Sequence, residues 1–171
     1  MSYLVKSINY CPVKSLSFQS IKSCNIKKGL GLENDRIFAF SRGTDIDKSK
    51  IIENNPKDRK LNDLLTLRNT PSLNKYNFNY ISNKLTLTRL NEEIISISPD
   101  YIKERSLLSN KLMDIEKSIT KPIHLLKNSK FPFFDTTSSN EVFNSISLIN
   151  INTLNDFENK IDNKIELQRF R

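Results

Sequence analysis

The 171-residue sequence has no tryptophan, three glycines, two cysteines, one histidine and a single alanine. So few glycines exclude a collagen-like repeat. Two cysteines exclude a disulfide-dense secreted scaffold. One histidine leaves no His-rich metal site. No run of 18 apolar residues is present, so no membrane span is expected. Met1–Lys6 lacks the apolar stretch of a signal peptide. The expected setting is therefore a reducing cytoplasm.

What is present is charge and aromatic bulk. The formal net charge is +8 and the pI about 9.5, but 19 of the 27 basic residues are lysine. Asn, Ile and Lys together supply 60 of the 171 residues, and all three have A/T-rich codons. A lysine-driven positive charge of this kind is read as solvated faces rather than as a polyanion site. Ten Phe and five Tyr supply large core pieces. The length suits one domain or one and a fraction, long enough to fold without covalent staples.

The first forty residues carry strand patterns at Tyr3–Val13, Ser20–Ile26 and Arg36–Phe40. Thr44–Lys60 is polar, densely charged and holds Pro56, so it is read as a loop or insertion. Leu61–Leu67 fits a short helix or a strand. Lys84–Leu90 and Glu93–Ser98 alternate with period two, and Asn91-Glu92 between them suggests a hairpin. Leu108, Leu112, Ile115 and Ile119 then mark one face of a helix over Tyr101–Ser118, ended by Lys121-Pro122. Ile123–Lys127 and Ser145–Ile149 are expected strands. Leu154, Phe157 and Ile161 define a second helix, with Thr153 and Asp156 resembling a capping box. Ile165–Phe170 is a last strand pattern, and a chain that stops there reads as truncated.

Few residues stand out chemically. His124 lies in an apolar strand and is read as a half-buried strand residue. Cys11 and Cys24 have no CxxC partner and are read as small apolar side chains. Gly29-Leu-Gly31 fails the context of a dinucleotide loop and is read as a turn, with Asn34 able to adopt a left-handed conformation. Pro12-Val13-Lys14-Ser15, at the end of a strand, offers an ammonium, a hydroxyl and backbone N–H groups to an anion, and Arg36 is placed to converge on it. Phe131-Pro-Phe-Phe134 beside Lys127 and Lys130 is either a stacking surface for nucleic acid or an apolar segment packed on the core.

Several segments, in order, resemble one family. Cys11-Pro-Val-Lys-Ser15 resembles the "YPVKS" motif of MOSC proteins that carry an N-terminal MOSC β-barrel domain. Gly29-Leu-Gly-Leu-Glu-Asn-Asp-Arg36 resembles their "GL-x-x-DR" turn, and Leu65–Leu73 their "LTxRxxPxL". Lys121-Pro-Ile-His-Leu-Leu126 resembles the "RPVxLL" that opens the MOSC domain. Phe133-Phe-Asp135 and Ser147-Leu-Ile-Asn150 are similar to the next two segments, and Phe170-Arg171 to the start of "FRPN". The family includes the mitochondrial amidoxime-reducing component and its bacterial relatives.

The resemblance implies a mainly β fold with some helix (α+β): an N-terminal β-barrel-like domain over residues 1–118, and the first part of a MOSC β-barrel domain over 119–171. It implies the molybdenum cofactor, molybdopterin, held by Lys14, Ser15, Arg36 and Arg171; Arg and Lys suit its phosphate. It implies two-electron reduction of N-hydroxylated small-molecule substrates, with electrons from a separate protein. The molybdenum-ligating cysteine of the family lies beyond "FRPN", and neither Cys11 nor Cys24 matches it. The alternative within the family is a cofactor carrier or sulfur-transfer module, as in the sulfurases, where pyridoxal phosphate enters through a desulfurase domain that this chain does not contain. A basic nucleic-acid-binding β domain is the third reading, and nucleic acid is not the expected partner.

Overall fold

The residues described in a computed structural model are 4–28, 30–134, 146 and 148–165. The structure is mixed α+β. Its centre is strand β5 (Phe38–Arg42), antiparallel to β9 (Ile123–Lys127), with Phe38 opposite Lys127 and Arg42 opposite Ile123. The other edge of β5 is shared. Lys14 N donates to Phe38 O (2.8 Å) and Phe38 N to Pro12 O (3.0 Å), a parallel contact, while Leu65 N donates to Phe40 O (2.9 Å). Both faces of β5 are covered, which explains its continuous apolar run. Phe38 and Phe40 enter the main core; Ala39 enters a smaller one with Ile52, Leu64, Leu126 and Phe133.

Strands β1 (Ile8–Tyr10) and β2 (Gln19–Ile21) form one antiparallel pair, β3 (Ile26–Lys27) and β4 (Gly31–Leu32) another. Strands β6 (Tyr76–Ile81), β7 (Lys84–Arg89) and β8 (Glu92–Ile97) form a meander. Tyr76, Phe78, Leu85, Leu87 and Ile97 line its buried face, against Leu108 and Leu112 of helix α2 (Ile102–Ile115). Phe40 meets Phe78 edge-on at 5.8 Å, a favoured aromatic geometry. The β1–β2 pair docks on β6 through side chains that imitate a ladder. Ser17 Oγ accepts from Phe78 N (2.6 Å) and Gln19 Oε1 from Tyr80 N (2.8 Å), so every second residue of one segment meets every second residue of the other. The Tyr10 hydroxyl donates to Gln19 Oε1 and Tyr80 O, and burial pushes its pKa up to about 12.

Several expectations need correction. Of the expected Tyr3–Val13 strand, Tyr3 lies outside the described residues and the rest is a strand at Ile8–Tyr10, with Val13 in an isolated bridge to Phe38; Ser20–Ile26 divides between β2 and β3. Thr44–Lys60 is not a loop: it holds helix α1 (Ile46–Asn54) and a 3-10 turn at Pro56–Asp58. Asp45 caps α1 by accepting from Lys48 N (2.7 Å), and only Ser49 and Ile52 are buried, so the helix has almost no apolar stripe. Leu61–Asp63 is a 3-10 turn, followed by the short pairing of Leu64 with Ser41. Strand β6 is an addition to the expected elements. The cap of helix α3 (Ile151–Ile161) is Asn150, which accepts from Asn152 N and Thr153 N, rather than Thr153.

The hairpin between β7 and β8 is present, with its loop one residue earlier, at Leu90-Asn91. Helix α2 and β9 lie where the sequence places them. Ser145–Ile149 falls partly, and Ile165–Phe170 almost wholly, outside the described residues; Leu148 and Ile149 are in no strand. Among the described residues the strands form four small sheets, none closing on itself. Strand β9, after residue 118, pairs with β5, before it, and both contribute to one core.

Leu90 and Asn91 have φ of 52° and 66°, the left-handed pair of a two-residue hairpin turn, and Leu90 gains little from exposure there. Asn adopts this conformation at lower cost than Leu. Leu90→Asn should raise stability by about 0.5–1 kcal/mol, and Phe78→Ala should lower it by about 3–5 kcal/mol. Urea denaturation measures both; a destabilised Leu90→Asn variant would contradict the turn assignment.

Candidate anion site

The site grows from two segments held side by side. Arg36 N donates to Cys11 O (2.7 Å), and two residues on, Phe38 N donates to Pro12 O (3.0 Å). Between these main-chain bonds lies a side-chain one: Cys11 N donates to Asp35 Oδ1 (2.8 Å). The carboxylate of Asp35 is buried, and its second oxygen takes Arg36 Nη1 as an ion pair. Cys11–Ser15 and Asp35–Phe38 thus form one unit. Two of its residues have backbones that ordinary side chains avoid: Ser15 at φ 60° and Arg36 at φ 52°. Among the described residues, the other left-handed non-glycine ones are in two hairpin loops (Ser82-Asn83 and Leu90-Asn91), at a helix end (Asp162) and at Asn34, whose side chain tolerates that conformation. Ser15 is the third residue of the Val13–Leu16 turn, where a positive φ is usual, whereas Arg36 lies in neither a hairpin loop nor a helix end.

The left-handed turn at Arg36 also lets its main chain serve two neighbours. Its N–H goes to Cys11, and its carbonyl accepts from Phe133 N (2.8 Å). The Arg36 guanidinium lies 5.4 Å from the Phe134 ring centroid and keeps 26% of its side chain exposed. Beyond Asp35 it has no hydrogen-bond partner among the described residues.

Each candidate residue can now be placed. Lys14, Ser15 and Arg36 fall on this one unit. Lys14 is buried, only 3% exposed. Neither Lys14 nor Ser15 is without a partner. Arg171 lies outside the described residues. The backbone N–H groups expected to be open at the tip are used in part: Lys14 N goes to Phe38 O and Leu16 N to Val13 O (3.1 Å). Asn34, at φ 66°, and Gly31, at φ 77°, supply the turn that delivers Asp35 and Arg36; Gly29 lies outside the described residues.

The remaining sequence candidates have structural duties. The Cys11 thiol is buried and donates to Val13 O (2.9 Å). His124 Nε2 lies 3.1 Å from Thr44 O, in a polar cluster where the hydroxyls of Ser41, Ser49 and Thr44 join under α1. Phe133 is fully buried with the Arg59 guanidinium 4.0 Å over its ring, which removes it from any stacking surface. Cys24 borders an open cleft of about 260 Å³ with Tyr10, Ser23, Asn25 and Glu33. Among the described residues, no three His, Cys, Asp or Glu side chains gather as a metal site, and no helix is long and apolar enough to cross a membrane. Sequence reading missed Asp35 and Phe134 as members of the site. The Asp-Arg dipeptide was visible, but nothing in its spacing shows that the carboxylate turns back to an N–H 24 residues away.

No protein-family model, curated protein or solved structure matches the chain.

The electrostatics follow from burial. Desolvation raises the Asp35 pKa above its ordinary value, and the Arg36 charge and the Cys11 N–H offset this only in part. A carboxyl raised in the fold binds its proton more tightly there than in the unfolded chain, whose value is about 3.9. Its contribution to stability is therefore present at low pH and is lost as pH rises through the raised value. Ionised Asp35 is held at a net cost in stability. A strained backbone at Ser15 and Arg36 adds to that cost, the pattern expected where a fold gives up stability for a site.

Asp35→Asn removes the charge and keeps an oxygen for Cys11 N. Relative to the parent it should gain stability between a pH below the raised Asp35 value and a pH above it, where Asp35 is ionised. Urea midpoints at the two pH values measure this; a variant that loses stability relative to the parent over that interval would contradict the assignment.

Proposed function

We propose that the chain is the cofactor-gripping part of a molybdenum-cofactor protein, contributing to an oxidoreductase that reduces N-hydroxylated small molecules with electrons from a separate protein. The observation that carries the reading is the joining of Lys14-Ser15 and Asp35-Arg36 into one unit, with Ser15 and Arg36 both left-handed. These are the residues whose motifs resemble the family, and they lie 20 positions apart in the sequence at their nearest, between Ser15 and Asp35.

The donor set suits one end of the cofactor, its phosphate. Arg36 has a guanidinium fixed on one side by a buried carboxylate and partly open on the other, which is how an arginine is pre-set for a bidentate oxyanion. Ser15 adds a half-buried hydroxyl, and Lys14 a nearby positive charge that lowers the cost of bringing in an anion. The Arg36–Asp35 pair restrains the guanidinium before the anion arrives, so less side-chain freedom is lost on binding. When bound, the cofactor would supply two-electron redox chemistry; this chain's described residues would hold its phosphate and orient it. A thiolate for the metal is not among them at this site, since the Cys11 thiol is turned to the carbonyls of Val13 and Leu16.

The reading is tested by expressing the chain in cells that make the cofactor, then extracting and oxidising bound pterin to its fluorescent form. The parent should yield pterin. Arg36→Ala should retain at least about tenfold less, the loss expected for one hydrogen-bonded charge contact. Lys84→Ala, an exposed lysine on β7, should match the parent. A parent without pterin, or an equal loss on Lys84→Ala, would contradict the proposal.

A further inference from the structure

Arg59 comes from the stretch that the sequence presents as an insertion, and the proposed site does not yet use it. Its side chain spends all three nitrogens on main-chain carbonyls. Nε donates to Ile52 O (3.0 Å), Nη2 to Glu53 O (3.0 Å), and Nη1 to Phe131 O (2.7 Å) and Pro132 O (2.9 Å). Burial pushes its pKa down to about 10, partly offset by the Glu53 charge, which leaves it a cation at neutral pH. Two of the four carbonyls belong to the end of α1 and need only a helix cap. The other two lie more than 70 residues away and belong to the segment that meets Arg36.

That segment is held from both ends. Asn128 turns it, its Oδ1 accepting from Phe131 N (2.7 Å) and its Nδ2 donating to Glu53 O (2.7 Å). Arg59 fixes Phe131 and Pro132 and covers the Phe133 ring. The next contacts are those of the site: Phe133 N on Arg36 O, and the Phe134 ring beside the Arg36 guanidinium. The guanidinium is thus set between Phe134 and Asp35, and Phe134 is set by Arg59.

We propose that Arg59 is a positioning residue for Arg36, acting through Phe131–Phe134; as a statement about anion binding, this rests on the phosphate-holding role given to Arg36 above. A lysine cannot replace it, because one ammonium has neither the planar face for Phe133 nor the fork that spans α1 and Phe131–Pro132.

The test uses the parent chain, Arg59→Lys, Phe134→Leu and the double variant. Two quantities are read: the Asp35 carboxyl titration by 13C NMR, and inorganic phosphate affinity by calorimetry. Loosening Arg36 removes a contact that lowers the Asp35 pKa, so the Asp35 titration should move upward in each variant. Phosphate affinity should fall about tenfold in Arg59→Lys, and the double variant should be no weaker than the weaker single one, because both act along one route. If Arg59→Lys only lowers the thermal midpoint, leaving titration and affinity as in the parent, the proposal is overturned. If the parent binds no phosphate but the Asp35 titration still moves in Arg59→Lys, positioning stands and the anion reading falls. Should Arg59→Lys fail to fold, Phe134→Leu decides: it leaves every Arg59 hydrogen bond in place, and an unmoved Asp35 titration there overturns the proposal.

Discussion

Strand β5 is hydrogen-bonded on both edges and covered on both faces, and the rest of the structure depends on that constraint. One edge takes β9 for its whole length. The other is divided between Pro12–Lys14 and Leu64–Leu65. A strand covered on both faces must bury apolar or hydrogen-bonded side chains: Phe38-Ala-Phe40 puts two large rings on one side and a methyl on the other, and Ser41 is satisfied by Ser49. Phe38 and Phe40 then recruit Tyr80 and Phe78 from the meander. The small Ala39 leaves room for Ile52, Leu126 and Phe133 from α1, β9 and the segment after it.

The candidate site is a consequence of how β5 begins. Immediately before it, Arg36 turns left-handed, so that the main chain reaches Cys11 with its N–H and Phe133 with its carbonyl. The Asp35 carboxylate closes the same junction by taking the Cys11 N–H and the Arg36 guanidinium together. Packing alone would favour an apolar residue at a position this buried, since an ionised carboxylate must be compensated there. The compensation is incomplete, as the raised Asp35 pKa records. The Arg36 guanidinium is thus oriented by a carboxylate that is costly to bury, on the unit that also carries the buried Lys14.

The sequence made some of this legible. Alternation marked β7 and β8, the 4-3-4 apolar spacing marked α2, and the apolar run Ile123–Lys127 marked β9, because in each case one periodic face meets the core. Helix α1 escaped because its buried face is one serine and one isoleucine, and what holds it is polar: the Ser41–Ser49–Thr44 hydroxyls and the Arg59 cap. Strand β6 does carry the alternating signal, Tyr76-Asn-Phe-Asn-Tyr80, with a left-handed Ser82-Asn83 turn after it. The local motifs of the site were visible as Lys14-Ser15 and Asp35-Arg36. That Arg36 converges on Lys14-Ser15 was expected too, but not the bonds that bring them together, because most of these run between backbone groups, which are the same at every residue. Arg59 was the least legible residue, since no periodicity marks a side chain that folds back onto carbonyls.

The central claim is that Cys11–Ser15 and Asp35–Phe38 act as one anion-binding unit. The most direct measurement is a 15N–1H spectrum of the chain titrated with pyrophosphate. The account predicts saturable shifts concentrated at Lys14–Leu16, Asp35 and Arg36, and at Phe134 beyond them. Saturable shifts concentrated instead around Ser23–Asn25 and Glu33, or no saturable shift at any residue, would contradict it.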